Sequence, residues 1–390
     1  MASGQHGALF PPPLGALAEH PVGAVKDVPV PLLDQRLAKN NFDLLRLLFA
    51  AMVCLVHSYE LSRIGELKWL AETFSSDLAV KAFFVVSGFL IFMSHERSSS
   101  LGSYASKRLR RIYPAYFTVI MLSALGLVLV SDLAPADYFS MAWVRYVAAN
   151  LAFLNFLQPT LPGVFEANRL AAVNGALWTL KIEVMFYLSV PILAWLFSRF
   201  ARLPAMLLVY CASIAYAAAL TAFAEQTGRE LFHELARQLP GQLSYFIGGG
   251  LLYYYLPVFD RYRLRFLVLA AACLVADGFL PLGWIEPLAL AVLVVFCGLY
   301  AYLGNFGKYG DFSYGLYILH FPVIQLYAQT DWLRANPYLF LAAVVLSSLL
   351  GAVLLWHGIE KRFLFRSSHY VSSAAADAST DPAGVAAKGV

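Results

Sequence analysis

The stretch Phe42-Asp43-Leu44-Leu45-Arg46-Leu47-Leu48-Phe49-Ala50-Ala51-Met52-Val53-Cys54-Leu55-Val56-His57-Ser58-Tyr59-Glu60 decides the fold. As an α-helix rising about 1.5 Å per residue, it reaches nearly across a hydrocarbon layer about 30 Å thick. Inside lipid every backbone polar group must be satisfied internally, and a largely apolar run of this length does so as a helix. Arg46 and His57 interrupt the run. At roughly 100° per residue they return to within about 20° of each other, on one face and about 16 Å apart along the axis. With Arg46 at an interface, His57 lies near the middle of the bilayer.

Windows of the same kind follow at 78 to 95, 112 to 131, 177 to 198, 204 to 224, 240 to 256, 264 to 280, 284 to 303, 311 to 330 and 338 to 358. The chain therefore reads as all-α, a polytopic transmembrane helix bundle of about ten spans. Composition agrees: of 390 residues, 60% are hydrophobic and 13% charged, against roughly 25% charged in soluble domains. A mean hydropathy of +0.66 leaves too little polar surface for a soluble globule. A weaker stretch, 142 to 157, is broken by Arg145, Asn150 and Asn155. It reads as an interfacial or re-entrant helix on the outer face.

Charge sets the orientation. With the N-terminus inside, Arg97, Lys107, Arg108, Arg110, Arg111, Arg261, Arg263, Arg265, Lys361 and Arg362 all fall in cytoplasmic segments. The resulting Lys and Arg bias is about two to one toward that side, as the positive-inside rule requires. An eleventh crossing would invert everything downstream of 131, so both termini are assigned to the cytoplasm. The membrane domain spans 41 to 362. Residues 1 to 40, rich in proline and without a signal-peptide pattern, read as a flexible cytoplasmic tail. Residues 367 to 390, rich in Ser, Ala, Gly and Asp, read as disordered. Cys54, Cys211, Cys273 and Cys297 lie in apolar runs without metal spacing and are expected to be core thiols. A net charge of +4 makes no case for nucleic acid.

Ionisable groups within spans are costly and point to function. Glu183 lies about 9 Å into a span entering from outside, and His320 about 13 Å into one entering from inside. A lone carboxylate at that depth needs a partner, for which His57 and Lys181 are the candidates. Blander readings stand beside these: His320 capping a carbonyl, Ser87-Gly88 as close helix packing, and Trp178 and Tyr187 as interfacial aromatics. Lys107, Arg108, Arg110 and Arg111, just before Ile112-Tyr113-Pro114, anchor topology. They also suit a phosphate-bearing ligand, because guanidinium groups bind phosphate through paired hydrogen bonds.

Several of these motifs, in order, resemble integral-membrane acyltransferase family 3. Asn41-Phe42-Asp43-Leu44-Leu45-Arg46 followed by His57 is similar to its Arg, ten residues, His signature. Phe83-Phe84-Val85-Val86-Ser87-Gly88-Phe89-Leu90-Ile91 is similar to its second-span motif, and Arg108-Leu109-Arg110-Arg111 to its Arg-x-x-Arg element. Leu177-Trp178-Thr179-Leu180-Lys181-Ile182-Glu183 and Phe312-Ser313-Tyr314-Gly315-Leu316-Tyr317-Ile318-Leu319-His320 resemble its later motifs. Two positions depart from the pattern: Lys81 where relatives are often acidic, and Val184 where a second carboxylate is frequent.

The resemblance implies O-acylation of a saccharide or glycolipid from acetyl-CoA or another acyl-CoA, without a metal, in a bacterial inner membrane. His57 is expected as base or acyl relay, with Glu183 orienting it and Arg46 completing the catalytic group. Arg108 and Arg111 are expected to hold the donor's phosphates. Ser87, Ser313 and Tyr314 are expected to donate to the thioester oxygen, and Trp178 and His320 to support the site. The chain stops after its tenth span, so the SGNH esterase-like domain of some relatives is not expected. From the residues alone, a secondary transporter or flippase using Arg46, His57, Glu183 and His320 is the alternative.

Overall fold

The computed structural model describes residues 33–365, except Gln35, Ala38, Gly278, Leu280, Pro281 and Leu282. The calls of a flexible N-terminal tail and a disordered C-terminus fall largely on residues outside this range. The long helices are α1 (Phe42–Ser62), α2 (Ser76–Glu96), α3 (Leu101–Gly126), α4 (Met141–Leu151), α5 (Trp178–Arg199), α6 (Arg202–Thr227), α7 (Leu239–Tyr254), α8 (Leu256–Asp277), α9 (Glu286–Leu299), α10 (Ser313–Ala328) and α11 (Pro337–Leu355). Among the described residues there is no strand.

Every apolar window coincides with one of these helices. Among the described residues, six segments are long and apolar enough to cross a membrane, those built on α1, α2, α3, α5, α6 and α11. The other windows hold α7 and α10, each of 16 residues, α9 of 14, and α8, which is bent where Tyr262 leaves helical geometry. The weaker stretch forms α4, whose 11 residues span about 16 Å, too little to cross. Irregular chain then runs on to Asn174 over the end of the bundle. There Asn174 donates to the Ile318 carbonyl at 2.8 Å, and Gln325 donates to the carbonyls of Leu170 and Ala172.

One boundary differs from the sequence reading. The basic cluster lies within α3 rather than ahead of it. The Ser100 hydroxyl caps the helix by accepting from Ser103 N–H at 3.1 Å, and Lys and Arg are good helix formers. The helix thus starts well before its apolar window.

Arg46 near the start of α1, Arg111 in α3, Asp311 just before α10 and Glu360 just after α11 meet at one end, here termed the basic end. Asp34 pairs with Arg97 at 2.6 Å and Phe365 lies under Arg110. Both ends of the described chain therefore rest at the basic end. At the other end Lys81 of α2 pairs with Asp77 at 2.9 Å and with Glu286 of α9 at 3.1 Å. The unusual lysine thus ties two helices together.

The centre of the bundle is α2 against α7. Lipid supplies little hydrophobic drive between helices, so close approach through small residues carries the packing. A Cβ on Gly88 would overlap the Phe246 carbonyl, and one on Gly249 the Val85 carbonyl. Phe186 stacks on Phe246 at 4.3 Å beside this contact. Gly249→Val is expected to lower the melting temperature in detergent by several degrees, corresponding to about 1–3 kcal/mol of overpacking. Gly126→Val, where nothing lies within 4 Å, is expected to be tolerated. Equal melting temperatures would contradict this packing.

The cysteine expectation is corrected. Cys54 is buried, but Cys211 and Cys297 are exposed and Cys273 is intermediate. In a lipid-facing protein an apolar run does not mark the interior, because the exterior is apolar too.

Candidate active site

Three groups of side chains occupy neighbouring levels of the bundle. At the basic end Asp311, 1% exposed, precedes α10. Its Oδ2 accepts from Arg46 Nη1 of α1 at 2.5 Å and from Arg111 Nη2 of α3. Its Oδ1 accepts from the Ser313 N–H at 3.1 Å and from the Ser313 hydroxyl. A carboxylate at a helix N-terminus is favoured by the helix dipole. Arg111 also reaches Glu360, in the π-helical turn after α11, at 3.2 Å. Four elements distant in sequence are thereby joined.

Above this cluster a cleft runs between α1, α2, α3, α5 and α10. Arg46, Arg108, Arg111, Ser87, Glu183, Ser313 and Tyr314 all border it. Most of the residues singled out from sequence thus converge on one cavity. Arg108 differs from its neighbour Arg111. Its Nη2 donates to the Ser94 hydroxyl at 3.0 Å, its guanidinium lies over the Tyr187 ring, and its Nε is buried with no partner among the described residues. A buried donor without an acceptor is costly, so Arg108 has the capacity for an anion that Arg111 directs to carboxylates.

The histidines form the third group. His57 Nδ1 and His320 Nε2 are 2.9 Å apart, one nitrogen donating to the other. His320 is fully buried. Its ring lies 5.7 Å from that of Tyr317, which borders the cleft. The pair therefore sits one ring beyond the cleft.

Some expected roles do not match this geometry. Glu183 does not contact His57; it accepts from the Tyr187 hydroxyl at 2.7 Å and from Ser87 at 3.5 Å. Its partner lies one helical turn along α5, a spacing that favours side-chain contact. The three hydroxyls expected to face a thioester are each engaged: Ser87 with Glu183, Ser313 with Asp311, and Tyr314 with the Ile112 carbonyl at 3.1 Å. A hydroxyl has one proton, and here it is already donated. Trp178 opens α5 under the Arg237 guanidinium at 5.9 Å and does not border the cleft.

Asp311 and Glu360 were not singled out from sequence. Asp311 carried a readable signal, an acidic residue two positions before the helix-starting Ser313, the pattern of a helix N-terminus. Glu360, beside Lys361 and Arg362, looks like any charge at a span end.

A multi-pass helical bundle with a cationic cleft leading to paired histidines is the setting for transfer chemistry inside a membrane. Residues 39–357 match the acyltransferase domain of acyltransferase family 3, and the chain belongs to that family. It is 28% identical over 340 residues to an O-acetyl transferase of Shigella phage Sf6, covering 85% of this chain and 98% of the phage protein. It is 32% identical over 183 residues to nodulation protein 10 of Rhizobium leguminosarum bv. viciae. That match covers 45% of this chain and 49% of the relative, so the chain spans about half the length of that protein. Acyltransferase MdmB of Streptomyces mycarofaciens is 26% identical over 137 residues, 35% of this chain and 32% of the relative. No solved structure matches. Family membership makes the chain an O-acyltransferase of the multi-pass membrane type, and favours transfer over the transport reading.

Proposed function

We propose that the protein moves an acetyl group from acetyl-CoA to a hydroxyl of a saccharide or glycolipid, with the basic end in the cytoplasm of a bacterial inner membrane. The likeness to the phage O-acetyl transferase supports acetyl, and the positive-inside bias supports the orientation. The observation that carries the reading is the His57–His320 pair one ring away from a cleft with an under-partnered arginine.

In this reading Arg108 binds a phosphate of the donor at the cytoplasmic mouth. Neutral His57 takes the acceptor hydroxyl proton while the hydroxyl oxygen bonds to the acyl carbonyl carbon. The carbon–sulfur bond breaks, and the departing thiolate leaves with that proton. Alternatively His57 itself carries the acyl group between donor and acceptor. His320 holds the His57 ring in either route. Glu183 and Tyr187 line the donor path instead of orienting the base.

The test is acetyl transfer by purified protein with labelled acetyl-CoA. Arg108→Ala is expected to raise KM for acetyl-CoA about 10-fold to 100-fold, the worth of a charge-assisted hydrogen bond in a desolvated site, with a small change in kcat. An unchanged KM would remove Arg108 from the donor site. Arg111→Ala is expected to lower thermal stability as well, because Asp311 and Glu360 both lose a cation.

A further inference from the structure

Reading His57 as base or relay, on which this inference rests, leaves its nearest carboxylate without a role. Glu60 lies three residues on, on the same face of α1. Its Oε2 is 3.8 Å from His57 Nε2. Because His57 Nδ1 faces His320, Nε2 is the nitrogen that a second substrate can approach, and Glu60 stands beside that approach. The His57 and Glu60 side chains are 20% and 41% exposed, and neither borders the cationic cleft. His57 is therefore open on the side away from the cleft.

The surroundings favour a polyhydroxylated ligand there. Arg169, from the irregular chain after α4, donates to the Glu60 backbone carbonyl and pins the last turn of α1. No hydrogen-bond donor among the described residues engages the Glu60 carboxylate itself. The Phe321 ring meets His57 edge-on at 5.9 Å and forms an apolar wall. An ionised carboxylate is an acceptor-only group with about four lone-pair sites, suited to hydroxyls on adjacent carbons.

We propose that Glu60 is a specificity-determining residue of the acceptor site. Its carboxylate accepts a hydrogen bond from the hydroxyl next to the one being acylated, and so holds a vicinal diol with its reacting oxygen at His57 Nε2. The Glu60 carboxylate only accepts; the proton of the reacting hydroxyl goes to His57, as above.

The experiment compares two acceptor probes with labelled acetyl-CoA: methyl α-glucopyranoside, which has vicinal hydroxyls, and cyclohexanol, which has one. Glu60→Gln is expected to lower kcat/KM for the glucoside about 10-fold or more, mainly through KM, and to lower the glucoside-to-cyclohexanol ratio by a similar factor. Glu60→Asp is expected to recover part of that ratio. An unchanged ratio in Glu60→Gln overturns the proposal, as does a parallel loss on both probes with a lowered melting temperature, which marks a structural role. Wild-type protein that acetylates cyclohexanol but not the glucoside, or neither probe, overturns the vicinal-diol assignment. Wild-type rates in His57→Ala would instead overturn the reading of His57 on which this rests.

Discussion

Replacing His57 with alanine lowers kcat for acetyl transfer by about 10²–10⁴-fold, the contribution of a positioned general base, with the fold intact. The side chain is 20% exposed and its hydrogen-bond partner is His320, so a melting temperature measured beside the rate separates lost chemistry from lost packing. His320→Ala is expected to give a smaller loss, because the His57 ring remains but its orientation and tautomer are no longer held. Release of CoA from labelled acetyl-CoA in the presence of acceptor measures both. CoA release at the wild-type rate from a folded His57→Ala protein would refute the mechanism. Transport chemistry, by contrast, predicts no acceptor-dependent CoA release in any variant.

Asp311→Ala is expected to destabilise the folded protein by about 3–5 kcal/mol, the range for removing one partner from a buried ion pair. One oxygen of this carboxylate takes the Arg46 and Arg111 guanidiniums, and the other takes Ser313 at the start of α10. Removal leaves two cations sharing a desolvated site and loses the anion at a helix N-terminus. Asp311→Asn keeps the shape and the Ser313 contact but not the charge, and is expected to be nearly as damaging. The measurement is the melting temperature and recovery of monodisperse protein in detergent. A wild-type melting temperature for Asp311→Ala would show that the cluster does not hold α1, α3 and α10 together. Because the same arginines border the cleft, any surviving Asp311→Asn protein should also have impaired donor binding.

The positions of the helices were legible in the sequence because each obeys a local rule, an apolar run long enough to bury its own backbone polarity in lipid. The short α4 was legible for the converse reason, since Arg145, Asn150 and Asn155 break the run. Of the residues that counting placed deep in separate spans, Glu183 borders the cleft and His57 and His320 lie beyond it, while Arg46, assigned to an interface, borders it too. The partner of each was not legible. From its depth Glu183 had His57 or Lys181 as candidate partners, whereas the structure gives it Tyr187, one turn along the same helix, and Ser87 across on α2. Depth along a helix follows from residue counting; which neighbour a side chain faces depends on how helices are turned against each other.

By itself, the sequence determined an all-α membrane bundle, its basic end, and the few polar residues that lipid would reject, because hydropathy and helical period act within a single segment. Only the tertiary structure decided that Asp311 binds both Arg46 and Arg111, that Arg108 keeps a donor without a partner among the described residues, and that His57 meets His320. Those partners lie up to 265 residues apart, on helices whose rotation against one another no single segment specifies.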